Sequence, residues 1–233
     1  SSGCTVMSDN TQIIEKTTRD TTFKATKIPS DSLREKHWEN VFQTKDYTQV
    51  LWHQNVPSKS LSLIEHYSNQ GDSIIDVGCG ASFLVDSLIS QGYKDITLLD
   101  TSKTSLDIVK TRLNANSKLP KYICSDILGL KEIAKYNIWH DRALFHFLLL
   151  QKERKKYFEV LSKALISGGI AIINTFSIDS QTQCAGLPIV QYDEERMLEA
   201  LPSDLTLIKT HAFTHTTPKN TEQNYNSFII MKK

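Results

Sequence analysis

What this sequence has little of narrows its function before any motif is read. Cysteine is scarce: Cys4, Cys79, Cys124 and Cys184 stand too far apart for a zinc-binding spacing or a dense disulfide framework. A reducing compartment, the cytoplasm, is therefore expected, and no metal site. Excess charge of one sign is missing too, with 27 Lys and Arg against 26 Asp and Glu and a formal net charge of +1. That balance excludes a nucleic-acid binder working by bulk charge, while a local basic groove stays open. Long apolar runs are absent. The stretch 143–150 is interrupted by His146, and a bilayer needs about 20 apolar residues in a row. The N-terminal segment has no basic stretch followed by an apolar one, so a secretory signal is not expected. Repeats at solenoid periods are also lacking.

What is there divides unevenly. Residues 1–30, rich in Thr, Ser and Lys, form a polar N-terminal arm. From Asp31 or Ser32 a helix is expected, with Leu33, His37, Trp38, Val41 and Phe42 at helical spacing. A loop rich in aromatics and amides follows over 47–56, and Ser58 is expected to cap a second helix carrying Leu61, Leu63, Ile64 and Tyr67. Residues 31–69 thus make a helical cap, and 70–233 a core in which short apolar runs alternate with helices. Strands are predicted at 73–77, 95–99, 122–125, 136–140 and 170–175. Helices are predicted at 83–91, 103–113, 130–135, 152–165 and 194–201, with glycines 168 and 169 closing the fourth. Strands 205–215 and 225–231 flank the turn Pro218-Lys219-Asn220 as an antiparallel hairpin. The expected fold is α/β: one doubly wound, Rossmann-like sheet of about seven strands, mostly parallel, in a single domain over 31–233.

The segment Ile74-Ile75-Asp76-Val77-Gly78-Cys79-Gly80-Ala81-Ser82 carries the chemistry. A buried strand runs into two glycines and then a helix, so backbone can approach a ligand closely and free N–H groups face it. Twenty residues beyond Gly80, Asp100 ends the next strand, where a carboxylate can take both hydroxyls of a ribose. A dinucleotide loop requires a third glycine where Phe83 stands, which demotes NAD. Asp76, just before the glycines, would repel a pyrophosphate but suits an ammonium or sulfonium group. Asp126, ending the third strand, could reach an adenine amino group. Three strand-end acids suit a cationic adenosine ligand.

Asp76-Val-Gly-Cys-Gly80, Leu98-Leu-Asp100, Ser125-Asp126-Ile127, Tyr136-Asn-Ile-Trp-His140 and Gly168-Gly169 together resemble the class I S-adenosylmethionine (AdoMet) methyltransferases, over roughly residues 70–177. The resemblance implies AdoMet as cofactor and S-adenosylhomocysteine (AdoHcy) as product. It places Gly78, Cys79 and Gly80 against the amino-acid half, Asp76 near the ammonium, Asp100 with Thr101 at the ribose, and Asp126 with Ile127 at the adenine. Trp52, in a loop rather than at helical spacing, is expected to touch ligand. A partial resemblance to the thiopurine methyltransferase-like branch rests on Trp38, Phe42, Trp52-His53-Gln54, Trp139 to Leu144 and Gly186-Leu187-Pro188; here His140 is inserted before Asp141-Arg142. It implies a small-molecule acceptor such as a thiol, thioether, metalloid or acid. Protein lysine methylation, a non-catalytic AdoMet sensor or partner subunit, and a dinucleotide oxidoreductase are the alternatives.

Methyl transfer from a sulfonium needs orientation and dryness more than acid–base help. The acceptor is expected between residues 140–146, 52–54 and 184–188. Arg142 could bind a substrate anion or instead pair with Asp141 or Glu153. His140 and His146 are the candidate bases, although a hydrogen-bonded helix position suits His146 better. Trp38 reads as a packing aromatic and Cys184 as a plain thiol. No membrane contact is expected, and no assembly beyond a monomer or weak dimer.

Overall fold

The computed structural model describes residues 12–13, 27–28, 31–54, 57–142 and 144–233. Two helices, α1 (Asp31–Thr44) and α2 (Ser58–Tyr67), precede β1 (Ser73–Val77). Then come α3 (Leu84–Ser90), β2 (Asp95–Asp100), α4 (Lys103–Leu113), β3 (Lys121–Cys124) and β4 (Tyr136–Asp141). The chain ends with α5 (Gln151–Ala164), β5 (Leu165–Phe176), α6 (Glu194–Ala200), β6 (Leu205–Thr216) and β7 (Glu222–Lys232). All seven strands share one sheet in the order β6-β7-β5-β4-β1-β2-β3. β1 to β5 run parallel, while β7 pairs antiparallel with both β5 and β6.

The strands are apolar on both faces because both faces are covered. Ile74, Leu98, Ile138, Ile172 and Ile229 point into the layer of α2, α3 and α4; their neighbours Ile75, Leu99, Trp139, Ile173 and Ile230 point into that of α5 and α6. All ten are shut off from solvent, each burial contributing about 1.5–3 kcal/mol. β2 lies on one side of β1 and β4 on the other. The connections therefore reverse direction at β1, and a crevice opens beyond the carboxyl ends of β1 and β4. That crevice is where the glycine loop emerges.

Several local expectations change. Ser58 is the first residue of α2 rather than its cap, since Pro57 occupies that position and its carbonyl accepts from the Leu61 N–H. No helix forms over 130–135. Instead the Asp126 carboxylate accepts from the Leu128 N–H, at 2.9 Å, and holds a single 3-10 turn at Ile127–Gly129. α5 stops at Ala164 without a glycine cap, and Leu165 already pairs with Tyr136. Residues Ser167 to Gly169 bulge out of β5 before Ile170 pairs with Ile138, so these glycines serve a strand irregularity.

The expected polar arm lies almost wholly outside the described residues; within it Gln12–Ile13 and Lys27–Ile28 pair antiparallel. Among the described residues, no helix is long and apolar enough to cross a membrane, no cluster could hold a metal, and Cys79, Cys124 and Cys184 are free thiols.

Candidate active site

Gly78 and Gly80 have φ of +65° and +53°, a region that only glycine enters without strain. A Cβ on Gly80 would lie 2.9 Å from Phe42 Cζ of α1, and one on Gly78 would lie 2.8 Å from Leu144 Cδ1. Small size at both positions lets the cap helix and the segment after β4 close on the loop. The turn presents the Gly80 N–H to Asp100 Oδ2 at 2.8 Å, and the Ser102 N–H reaches Asp100 Oδ1 at 2.8 Å. Each oxygen of Asp100 thus holds one backbone donor and keeps a lone pair free. Burial pushes this carboxyl up to about 6, while the two N–H bonds pull it back.

Arg112 of α4 secures the far side of the loop. Its guanidinium donates to the Ala81 and Ser82 carbonyls at 2.8 and 2.7 Å, pairs with Asp86 at 2.7 Å, and stacks 4.3 Å over the Phe83 ring. Phe83, standing where a dinucleotide loop has glycine, is the platform for that stack. No sequence signal pointed to Arg112.

One cavity, about 1150 Å³ including its open mouth, occupies the crevice. Asp76, Gly78, Cys79, Gly80, Asp100 and Thr101 line it from β1 and β2. Asp126 and Ile127 line it from beyond β3, and Trp52, His140 and Arg142 from the cap and β4. Every residue expected at the cofactor site therefore meets in one place. Sequence reasoning missed Tyr47, Phe42 and Phe147 as cavity walls, and assigned Trp38 to packing alone. Trp38 instead lines the cavity while standing edge-on to both Trp52, at 5.8 Å, and Phe147, at 5.3 Å. Its helical spacing hid this, because one helix face can pack and line a pocket at once.

Two ties hold α1 across the opening. Arg34 pairs with Glu153 of α5 at 2.6 Å, and Glu39 accepts from the Ser102 hydroxyl and the Thr104 N–H at the start of α4.

Neither histidine stands free as a base. His140 lines the cavity, but Nδ1 lies 2.8 Å from Asp76 Oδ1 and Nε2 lies 2.7 Å from Ser60 Oγ of α2. With both ring nitrogens engaged and the side chain buried, it has no free nitrogen to act as a base. The parallel register explains the pairing, since Asp76 and His140 sit opposite each other on β1 and β4. His146 lies in a 3-10 turn, outside the cavity lining. Its Nδ1 accepts from the Phe176 N–H at 3.2 Å, and burial depresses it to about 3. It is a neutral core residue.

Arg142 pairs with neither acid weighed for it. Asp141 accepts from the Leu144 N–H at 2.6 Å, the Phe145 N–H at 3.0 Å and the Tyr157 hydroxyl at 2.6 Å. Glu153 is taken by Arg34 and the Leu150 N–H. Arg142 Nη2 is buried and has no hydrogen-bond partner among the described residues. Around it, burial raises the Tyr47 hydroxyl and the Cys184 thiol to about 12 each, against the pull of the guanidinium. Both are neutral near pH 7.

A family model described as a methyltransferase domain matches residues 68–228. Among curated proteins, the tRNA U34 carboxymethyltransferase of Haemophilus influenzae is 24% identical over 143 residues, 60% of this chain and 43% of that protein. The mitochondrial ubiquinone biosynthesis O-methyltransferase of Dictyostelium discoideum is 25% identical over 159 residues, 64% of this chain and 48% of that protein. The chain thus spans about half the length of the curated relatives it matches. A solved structure concerned with conversion of a disulfide bond into a thioacetal group during echinomycin biosynthesis superposes with a TM-score of 0.69, at 15% identity, over 84% of this chain and 90% of that one. With the match running from the strand before the glycine loop into β7, the chain belongs to the class I S-adenosylmethionine-dependent methyltransferases.

Proposed function

We propose that this chain methylates a small molecule, with AdoMet seated over the glycine loop and the acceptor under the aromatic roof. One observation carries the reading: the carboxylates of Asp76, Asp100 and Asp126 and the rings of Trp38, Trp52 and Phe147 line a single cavity. The donor set fits the cofactor. Asp100 has one free lone pair on each oxygen, which matches a ribose diol. Asp76 at the strand end suits an ammonium and opposes a pyrophosphate. Asp126 and Ile127 supply an acceptor and an apolar wall for adenine.

AdoMet brings a methyl group on a sulfonium, whose departing sulfur needs no acid. The chain's residues therefore orient and desolvate. Phe42 and Tyr47 stack at 6.1 Å above the loop, and Trp38 with its two edge-on partners closes the acceptor end. None of the candidate bases is placed to deprotonate the acceptor, because His140 is doubly bonded, His146 faces the core, and Tyr47 and Cys184 are neutral. This supports an acceptor whose nucleophilic atom needs no base, such as a thiolate, thioether, metalloid or carboxylate. The relatives' names point to RNA and to a quinone precursor. Against RNA stand a balanced charge of +1 and a roof of packed aromatics over the acceptor end.

Incubation with methyl-labelled AdoMet and a cell extract, followed by separation into small-molecule, protein and RNA fractions, tests the proposal. Label is expected in the small-molecule fraction. Label only in RNA or only in protein overturns it, and AdoHcy binding without any labelled product points to a sensor.

A further inference from the structure

We infer that the acceptor is an organic anion with an apolar body, and that Arg142 binds its negative group. This rests on the methyltransferase reading and names the substrate class for the same cavity. The guanidinium is the starting point. A buried N–H donor without a partner is costly, and a buried charge without a counter-charge more so. Arg142 Nη2 is such a donor.

Four nearby acids are committed elsewhere, Asp126 accepts from the Leu128 N–H, and Glu35, which also lines the cavity, does not bond Arg142 Nη2. Asp141 bonds two backbone N–H groups and Tyr157, and Glu153 bonds Arg34 and Leu150. Asp76 is tied to His140, and Asp100 to the loop amides. The groups that feel the charge of Arg142 are Tyr47, Cys184, Tyr225 and His215. Burial keeps the first three neutral. His215 is lowered from its ordinary value by burial, and its nitrogens face Gln54 and the Leu51 carbonyl. None of these four supplies a negative charge.

The rest of the chamber tells what accompanies the anion. Trp38, Trp52, Leu144, Phe147 and Leu148 line the same cavity as Arg142. Arg34 also lines the cavity but pairs with Glu153, and apolar walls around the remaining guanidinium select a ligand of matching pattern. A guanidinium fork binds a carboxylate or another oxyanion through two parallel N–H bonds. A neutral acceptor would leave Arg142 uncompensated, and a small hydrated anion would leave the aromatic walls unused.

The test uses the full chain saturated with AdoHcy, with no turnover required. Benzoate, phenylacetate and phenylphosphonate are titrated calorimetrically against benzamide and phenylacetamide. At least one anion is expected to bind tenfold or more tighter than the amides, and Arg142→Gln is expected to erase the difference while AdoHcy affinity stays unchanged. Arg142→Lys should keep part of the preference. Equal binding of anions and amides by the unaltered protein overturns the inference whatever the variants do. So does a preference that survives in Arg142→Gln. Failure of AdoHcy itself to bind would count against the methyltransferase reading; the same anion titrations on the free protein would then judge Arg142 separately.

Discussion

Asp100→Asn alters one atom and tests the cofactor half of the site. The carboxylate accepts from Gly80 and Ser102 N–H groups, both at 2.8 Å. An asparagine must turn its NH2 towards one of those donors, losing a bond to the loop and the charge that strengthens a ribose contact. A hydrogen bond to a charged group contributes about 1.5–3 kcal/mol. The loop bond is lost in free and bound protein alike and costs stability; the weakened ribose contact costs about 1.5–3 kcal/mol of binding, which weakens AdoHcy binding roughly 10- to 10²-fold. A pH arm runs beside the substitution. Burial raises this acid from 3.8 to about 6. Its contribution to the stability of the free protein is therefore full below pH about 4 and lost as pH rises through about 6, some 3 kcal/mol in all. AdoHcy affinity moves the other way, rising about tenfold between pH 5 and 7.5 as the ionised fraction grows from about one-tenth. Isothermal titration calorimetry of both proteins at both pH values reads all of this. An Asp100→Asn affinity within threefold of the unaltered protein, or a Kd flat across that range, would refute the reasoning.

His140→Leu leaves the Asp76 carboxylate and the Ser60 hydroxyl buried without their shared partner, at a cost of about 3–5 kcal/mol. Thermal unfolding should fall by about 5–15 °C, and an unchanged Tm would contradict the assigned bonds. Gly80→Ala puts a Cβ 2.9 Å from Phe42 Cζ in a left-handed conformation. AdoHcy binding should drop at least tenfold, and Phe42→Leu should relieve only the steric part, since the backbone strain stays. Tyr157→Phe strips a donor from Asp141 and an acceptor from the Trp139 indole. Denaturant titration should show about 2–4 kcal/mol lost. His146→Gln should lower stability yet leave the pH profile of turnover in place; a shifted profile would return His146 to the role of base.

The cofactor half was legible in the sequence because its chemistry is local. Two glycines between a strand and a helix demand the same turn in any chain, and Asp76, Asp100 and Asp126 fall at strand ends that periodicity places. The acceptor half was less legible. Which way Trp38 faces depends on Trp52 and Phe147, distant in sequence. Whether Arg142 is free depends on Tyr157 and Arg34 having claimed Asp141 and Glu153. His140 resembled a base because its pairing with Asp76 appears only once β1 and β4 are in register. Glycines 168 and 169 suit a helix end and a strand bulge alike, and only the pairing of Leu165 with Tyr136 decides between them.

A crystal structure of the AdoHcy complex tests the central claim most directly, that one cavity divides into a cofactor half and an acceptor half. The account predicts both ribose hydroxyls on Asp100, the adenine beside Asp126 and Ile127, and the sulfur facing the space between Trp38 and Arg142. AdoHcy bound elsewhere, or reversed so that its amino acid lies at Asp126, would contradict it.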